Sequence, residues 1–273
     1  MPAAVVFILF VICLIIAIPV SIALTIASVL PGAFDPSFTA SGQFVIRSML
    51  GGIDSFPLLA VPMFVLSGII MARGGISKKL FDVFSYFLGN LTAGLPCAVI
   101  VTCLFYGAIS GSGPATVAAV GSMTIPILTT LGYDLTFSTA IVAVAGGLGV
   151  IIPPSIPFIM YGMASGASVS DLFLAGIVPG IIFALILCLT VLYYSVKNDW
   201  KGDTERSSGK EILKAFLNAL PGFLSPVIVL GGIYSGIFTP TESAVVAVVY
   251  GLIICLAVYR EISMKTIWEI VEN

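Results

Sequence analysis

Hydrophobic residues fall along this chain in long blocks. Apolar stretches occupy residues 4 to 30, 53 to 72, 136 to 166, 172 to 196, 217 to 238 and 241 to 259, each near the 20 or so helical residues needed to cross roughly 30 Å of hydrocarbon. Two shorter blocks, 94 to 109 and 115 to 131, lie side by side. Lipid offers no partner to backbone amides and carbonyls, so blocks of this length read as helices. The pattern predicts an all-α membrane protein, a multi-helix bundle in which 94–131 forms a re-entrant helical hairpin and 136–166 a discontinuous helix. The stretch from Val5 to Leu30 reads as the first membrane helix: it is too long for a secretory signal, no basic residue precedes it, and further apolar blocks follow. Ser77 to Leu88 and Gly209 to Leu217 mix Lys with Phe and Leu at helical spacing and read as helices lying in the interface. A third such element is expected from Met264, with Ile267, Trp268, Ile270 and Val271 on one side and Lys265 and Glu269 on the other.

The basic residues give the pattern an orientation. They gather at Arg73, Lys78 and Lys79, then at Lys197, Lys201, Arg206, Lys210 and Lys214, then at Arg260 and Lys265, and the positive-inside rule makes all three groups cytoplasmic. On that reading the hairpin 94–131 enters and leaves on the cytoplasmic side, 136–166 goes out and 172–196 returns.

Composition agrees and removes several functions. Of 273 residues 59% are hydrophobic and 9% charged, against about 25% charged in a soluble domain, and the mean hydropathy is +1.18. A net charge of −2 offers no basic field for nucleic acid. The sequence holds no histidine, which removes the commonest general base and metal ligand. Cys13, Cys97, Cys103, Cys188 and Cys255 stand singly within apolar runs and read as packing residues.

Candidate chemistry lies in two interruptions. From Leu91 to Val196 there is no Lys or Arg, and the carboxylates are Asp134 and Asp171, so a site here is built largely of neutral oxygens. Ile109-Ser110-Gly111-Ser112-Gly113-Pro114-Ala115-Thr116 cannot run as continuous helix: glycines weaken it, and Pro114 suits the first position of a new helix capped by Ser112 or Gly113. Gly146-Gly147-Leu148-Gly149 followed by Pro153-Pro154-Ser155 opens a second helix in mid-block, because adjacent prolines remove consecutive donors. Unwound backbone at membrane depth is tolerated where it is buried in protein or lines a wet cavity. Helix ends near Ser110 and Gly149 then offer carbonyls to a cation, and starts near Pro114 and Ser155 offer amides and a positive dipole end to an anion. The same stretches also suit plain turns and small-residue packing. Ser168 to Asp171 and Thr239 to Glu242 fit capping boxes, and Asp54 and Asp134 are expected to cap the helices that follow them.

Gly107-Ala108-Ile109-Ser110-Gly111-Ser112-Gly113-Pro114-Ala115-Thr116, Pro153-Pro154-Ser155 and Gly236-Ile237-Phe238-Thr239-Pro240-Thr241-Glu242-Ser243-Ala244, in that order, resemble the large membrane subunit of tripartite ATP-independent periplasmic (TRAP) transporters, the DctM or SiaM type. The resemblance implies an elevator-type sodium symporter of the bacterial inner membrane. Its partners would be a small TRAP membrane subunit and a periplasmic substrate-binding protein that delivers an organic acid, with Na+ as coupling ion and no organic cofactor. It implies scaffold helices and an interfacial arm over 1–90, a transport-domain hairpin and broken helix over 91–170, and further scaffold over 171–273. Carried onto this sequence, the sodium residues are Ser110, Gly111, Ser112, Gly113, Thr116, Gly147, Gly149 and Pro153, and the substrate residues Pro114, Ala115, Pro154 and Ser155. The family's large subunit has two inverted repeats, and this sequence resembles the first half, with no second hairpin or broken helix after Glu242. A channel or a non-transporting structural subunit is the alternative. An intramembrane protease does not fit, since Ser112 has no histidine base and Asp134 no second, glycine-flanked aspartate.

Overall fold

The structure, a computed structural model, describes residues 3–34, 42–200 and 208–272. The chain divides into two compact units, 1–55 and 56–273. The first holds α1 (Ala3–Ile15), α2 (Val20–Phe34) and α3 (Gly42–Ile53). The block 4–30, expected as one membrane helix, is therefore two shorter helices packed against each other. Ala17 takes a left-handed φ of 62°, and the Ala17 and Ile18 amides bond back to Leu14 and Cys13 carbonyls at 2.9 and 3.0 Å, closing α1 in a Schellman motif. Pro19, with no amide of its own, opens the way to α2. Asp54 ends α3, its amide on the Leu50 carbonyl at 3.0 Å.

The second unit runs through α4 (Ala60–Arg73), entered by a 3-10 turn at Phe56–Leu59, then α5 (Ile76–Leu88), α6 (Gly94–Ser110), α7 (Gly113–Thr130), α8 (Leu135–Gly146), one-turn α9 (Leu148–Ile151), α10 (Ile156–Ser165), α11 (Val169–Lys197), α12 (Gly209–Tyr234), α13 (Pro240–Ile253), continued as a π turn over Ile254–Val258, and α14 (Met264–Glu272). Phe56–Arg73, Val169–Lys197, Gly209–Tyr234 and Pro240–Val258 are long and apolar enough to span a membrane. Leu135–Ile151 with Ile156–Ser165, bent by 42°, makes a fifth if it is counted as one span. The described residues are thus those of an all-α membrane protein.

Caps fix the helix starts much as the residue types demand. Asp134 Oδ1 accepts the Phe137 amide at 2.9 Å, and Thr239 and Glu242 exchange bonds in a full capping box, with the Thr239 amide on Glu242 Oε2 at 2.8 Å. Ser168 accepts from the Asp171 amide at 3.3 Å. Ser208 and Glu211 form a further box, the Ser208 amide on Glu211 Oε2 at 2.8 Å, and it launches α12. No proline intervenes before Pro221, so 209–217, expected as a separate interfacial helix, is instead the first part of this 26-residue helix.

The other two amphipathic segments do form short helices. The apolar face of α5 is covered by protein, however: Ile76, Leu80, Phe81 and Val83 are buried. Phe84 stacks on Phe105 of α6 at 5.4 Å and meets Phe223 of α12 edge-on at 5.7 Å. On α14, Ile270 is buried while Trp268 and Val271 stay exposed. The main core gathers where α5, α6, α8 and α9 meet, around Tyr106, Ile100, Val142 and Leu148. A second cluster joins α4, α10 and α13 around Phe64, Ile159 and Ala244.

Candidate functional site

The two interruptions meet in space. α6 ends in a single left-handed residue, Gly111 (φ 62°), whose amide bonds the Gly107 carbonyl at 2.9 Å. Ser112 is extended and caps α7, its hydroxyl accepting from the Ala115 amide at 3.5 Å, with Pro114 in the first turn. The second interruption runs from Ile152 to Ser155, through a cis bond between Pro153 and Pro154. Helix therefore continues past Gly149 to Ile151, and the carbonyl end expected at Gly149 lies two residues later. The Ile156 amide, first of α10, donates to the Gly111 carbonyl at 3.2 Å. That bond joins the tip of the hairpin to the break in the helix.

Glycine is required where these elements touch. A Cβ on Gly107 would stand 2.7 Å from Gly149 Cα, and a Cβ on Gly149 would stand 2.5 Å from Thr116 Oγ1 and 2.8 Å from the Ser112 carbonyl oxygen. Gly113 faces the Gly146 carbonyl, and Gly111 the Pro154 carbonyl. Side chains of any size would hold α6 and α7 away from α9.

This approach encloses a small group of oxygens. Ser110 Oγ lies 3.0 Å from Thr116 Oγ1 and donates to the Ser112 carbonyl at 3.3 Å, and Thr116 Oγ1 donates to the same carbonyl at 2.8 Å. Ser110 and Thr116 are 1% and 0% exposed, so the cluster is shut off from bulk solvent. Ser155 is equally buried but does not cap α10: its hydroxyl donates to the Val150 carbonyl at 2.6 Å. Among the described residues no group of three or more His, Cys, Asp or Glu could hold a metal ion. The donors gathered here are hydroxyls and carbonyls, which favour a hard cation of low charge.

Of the residues singled out from the sequence, Ser110, Gly111, Ser112, Gly113, Thr116 and Gly149 come together, and Pro153, Pro154 and Ser155 are buried beside them. Gly147 stands apart, since a Cβ there would meet only the Val144 carbonyl of its own helix. Pro114 is exposed. Ala115 lines a groove of about 350 Å³ shared with Gly68, Tyr106, Ser122 and Arg73. The sequence segment 91–196 holds no cation, but the fold brings Arg73 from α4 to this groove. Sequence reasoning missed Gly68 and Tyr106: the Tyr106 hydroxyl donates to the Gly68 carbonyl at 2.9 Å, tying α4 to α6, and a Cβ on Gly68 would stand 3.0 Å from Ser110 Cα. Gly107 was visible only as part of a motif, three residues before Ser110.

Known proteins resemble this chain. The family described as the tripartite ATP-independent periplasmic transporter, DctM component, matches residues 7–273. The isethionate TRAP transporter permease protein DctMQ of Oleidesulfovibrio alaskensis is 43% identical over 99% of this chain and 42% of its own length. The C4-dicarboxylate TRAP transporter large permease protein DctM of Pseudomonas aeruginosa is 44% identical over 78% of this chain and 49% of its own. The 2,3-diketo-L-gulonate TRAP transporter large permease protein YiaN of Escherichia coli is 36% identical over 84% and 53%. The chain spans about half the length of these curated relatives. They are transport permeases and not enzymes, and with the membrane-capable helices they place the chain in the bacterial inner membrane. The chain belongs to the DctM component family of the tripartite ATP-independent periplasmic transporters.

Proposed function

We propose that this chain supplies one half of the ion and substrate site of a sodium-coupled permease that takes up a small organic acid, such as a C4-dicarboxylate or sialic acid, handed over by a periplasmic binding protein. A small membrane subunit supports its scaffold helices, and a second inverted repeat completes the site. The observation that carries this reading is the closed oxygen triangle of Ser110 Oγ, Thr116 Oγ1 and the Ser112 carbonyl, with edges of 2.8 to 3.3 Å. Oxygens about 2.3–2.6 Å from a hard cation stand roughly 3.3–3.7 Å apart in an octahedral shell. A sodium ion therefore needs the shortest edge of this triangle to open by about 0.5–0.9 Å and the others by less, with the hydroxyl protons turned away. Ala115, in the first turn of α7, and Arg73, which also pairs with Glu269 at 4.0 Å, line one groove, and a helix N-terminus and a guanidinium both suit the carboxylate of the cargo.

The test is thermal stability of the purified chain in sodium against potassium chloride at equal ionic strength, with Ser110→Ala and Thr116→Val alongside. Saturation at ~100 times Kd stabilises by about 2.7 kcal/mol, or roughly 5–11 °C for a chain of this size. A sodium-specific rise abolished in both variants is the expected result. Superimposable curves in the two salts, for this chain and for a subunit carrying both repeats, would overturn the assignment of the ion to this triangle.

A further inference from the structure

Away from the interruptions, α8 and α11 enclose a cavity of about 650 Å³. Its floor is apolar, with Ile141 and Val144 from α8 and Leu187 and Val191 from α11. Its far end changes character: Asp134, Tyr194, Asn198 and Trp200 line it there. From Val144 to Asp134 is ten residues of helix, about 15 Å, which is half the ~30 Å hydrocarbon thickness and so the depth of one lipid leaflet. The polar end coincides with the start of α8 and the end of α11, where a membrane interface lies if α11 spans.

That end carries a specific chemistry. Trp200 packs 4.7 Å from Phe137 and 5.1 Å from Tyr133, and Phe137 lies 5.8 Å from Tyr194, all as ring centroids. Asp134, one oxygen of which caps α8, lines the same end as Phe137, Tyr194 and Trp200. Aromatic faces with a carboxylate attract an organic ammonium. Lys197, in the last turn of α11, offers a positive charge for a phosphate.

We infer that this groove is a binding site for an ethanolamine phospholipid, its ammonium held by Asp134 and the aromatic rings, its phosphate towards Lys197, and an acyl chain along the α8–α11 floor. A primary ammonium fits better than the alternatives. Its three N–H donors can reach Asp134 and the Asn198 side-chain oxygen, a choline headgroup has none to give, and an anionic glycerol headgroup would meet the Asp134 charge. The inference does not depend on the proposed sodium site.

The experiment equilibrates the purified full chain with vesicles of equal parts phosphatidylethanolamine, phosphatidylcholine and phosphatidylglycerol, washes it in detergent, and measures retained lipid by mass spectrometry. Ethanolamine lipid is expected in about five-fold excess, the scale of one exposed ammonium–aromatic contact with its charge partner. Asp134→Asn keeps the cap, since Asn caps as well as Asp, and is expected to bring the three lipids level at unchanged melting temperature. Ala140→Phe, at an exposed position lining the groove, is expected to reduce retention of all three. Equal retention by the wild type, no retention because polypeptide covers the groove, or a preference that survives Asp134→Asn would each overturn the inference.

Discussion

Replacing Gly149 by alanine probes whether the two interruptions are built as one unit. In an open helix the change would be favourable, because glycine in a helix interior is worse than alanine by roughly 0.5–1 kcal/mol. Here the new Cβ would stand 2.5 Å from Thr116 Oγ1 and 2.8 Å from the Ser112 carbonyl oxygen. Thr116 is fully buried and its hydroxyl already bonds that carbonyl, while the Ser112 backbone is held by the Thr116 amide at 3.0 Å. Neither neighbour can withdraw freely, and overpacking of this kind costs about 1–3 kcal/mol. The net expectation is a loss of roughly 0.5–2 kcal/mol, or a melting temperature lower by about 1–8 °C, together with loss of any sodium response. A Cβ on Gly231 in α12 would meet nothing within 4 Å, so Gly231→Ala is expected to raise the melting temperature by the propensity gain alone. Thermal unfolding of both variants in detergent, followed by the fluorescence of Trp200 and Trp268, isolates the clash. If Gly149→Ala behaves like Gly231→Ala, the hairpin tip and the broken helix are not packed against each other and the oxygen triangle loses its enclosure.

Other substitutions address the supporting structure. Ser155→Ala removes the donor to the partly buried Val150 carbonyl and is expected to lower stability by about 1–2 kcal/mol; a neutral result in chemical or thermal unfolding would mean that water replaces the hydroxyl. Burial pushes the Asp82 carboxyl up, and the neighbouring Lys78 and Lys79 ammoniums draw it partly back. A carboxyl with a higher pKa folded than unfolded favours folding below its unfolded pKa, and that contribution is lost as pH rises through the folded value. Asp82→Asn is therefore expected to flatten the acid-side fall in melting temperature with rising pH, and an unaltered slope would count against the desolvation. Lys79→Met removes both the 2.7 Å pair with Glu261 and the cation over the Tyr259 ring at 4.2 Å; the pair is partly exposed, so a loss of roughly 0.5–1 kcal/mol is expected, and no change on unfolding would show that the contact is inert.

Local chemistry made much of this architecture readable. Asp134, Ser112 and Thr239 cap the helices that their residue types and spacing announce, because a cap depends on a few consecutive residues. Pro153-Pro154 open the helix for an equally local reason. What could not be read depends on partners distant in sequence. The apolar face of α5 could lie on lipid or on protein, and only Phe105 and Phe223 decide that it lies on protein. The break at Ala17 was hidden because alanine rarely takes a left-handed φ, leaving Pro19 as a lone signal inside an apolar run. The separate interfacial helix at 209–217 failed as an expectation because polarity marks where a helix meets water, not where it ends. At the site, the hydroxyls were visible and the packing was not: Gly107 against Gly149 is a contact between residues 42 positions apart, and nothing in either local sequence names the other.

The bond from the Ile156 amide to the Gly111 carbonyl links main chain to main chain. Of the replacements possible at these two positions, proline at 156 alone removes a partner of this bond, so the register between the two interruptions is written in the path of the backbone. The same bond sets a mechanical condition. The hairpin tip cannot swing away by itself; either this tie breaks, or tip and broken helix move together as one piece.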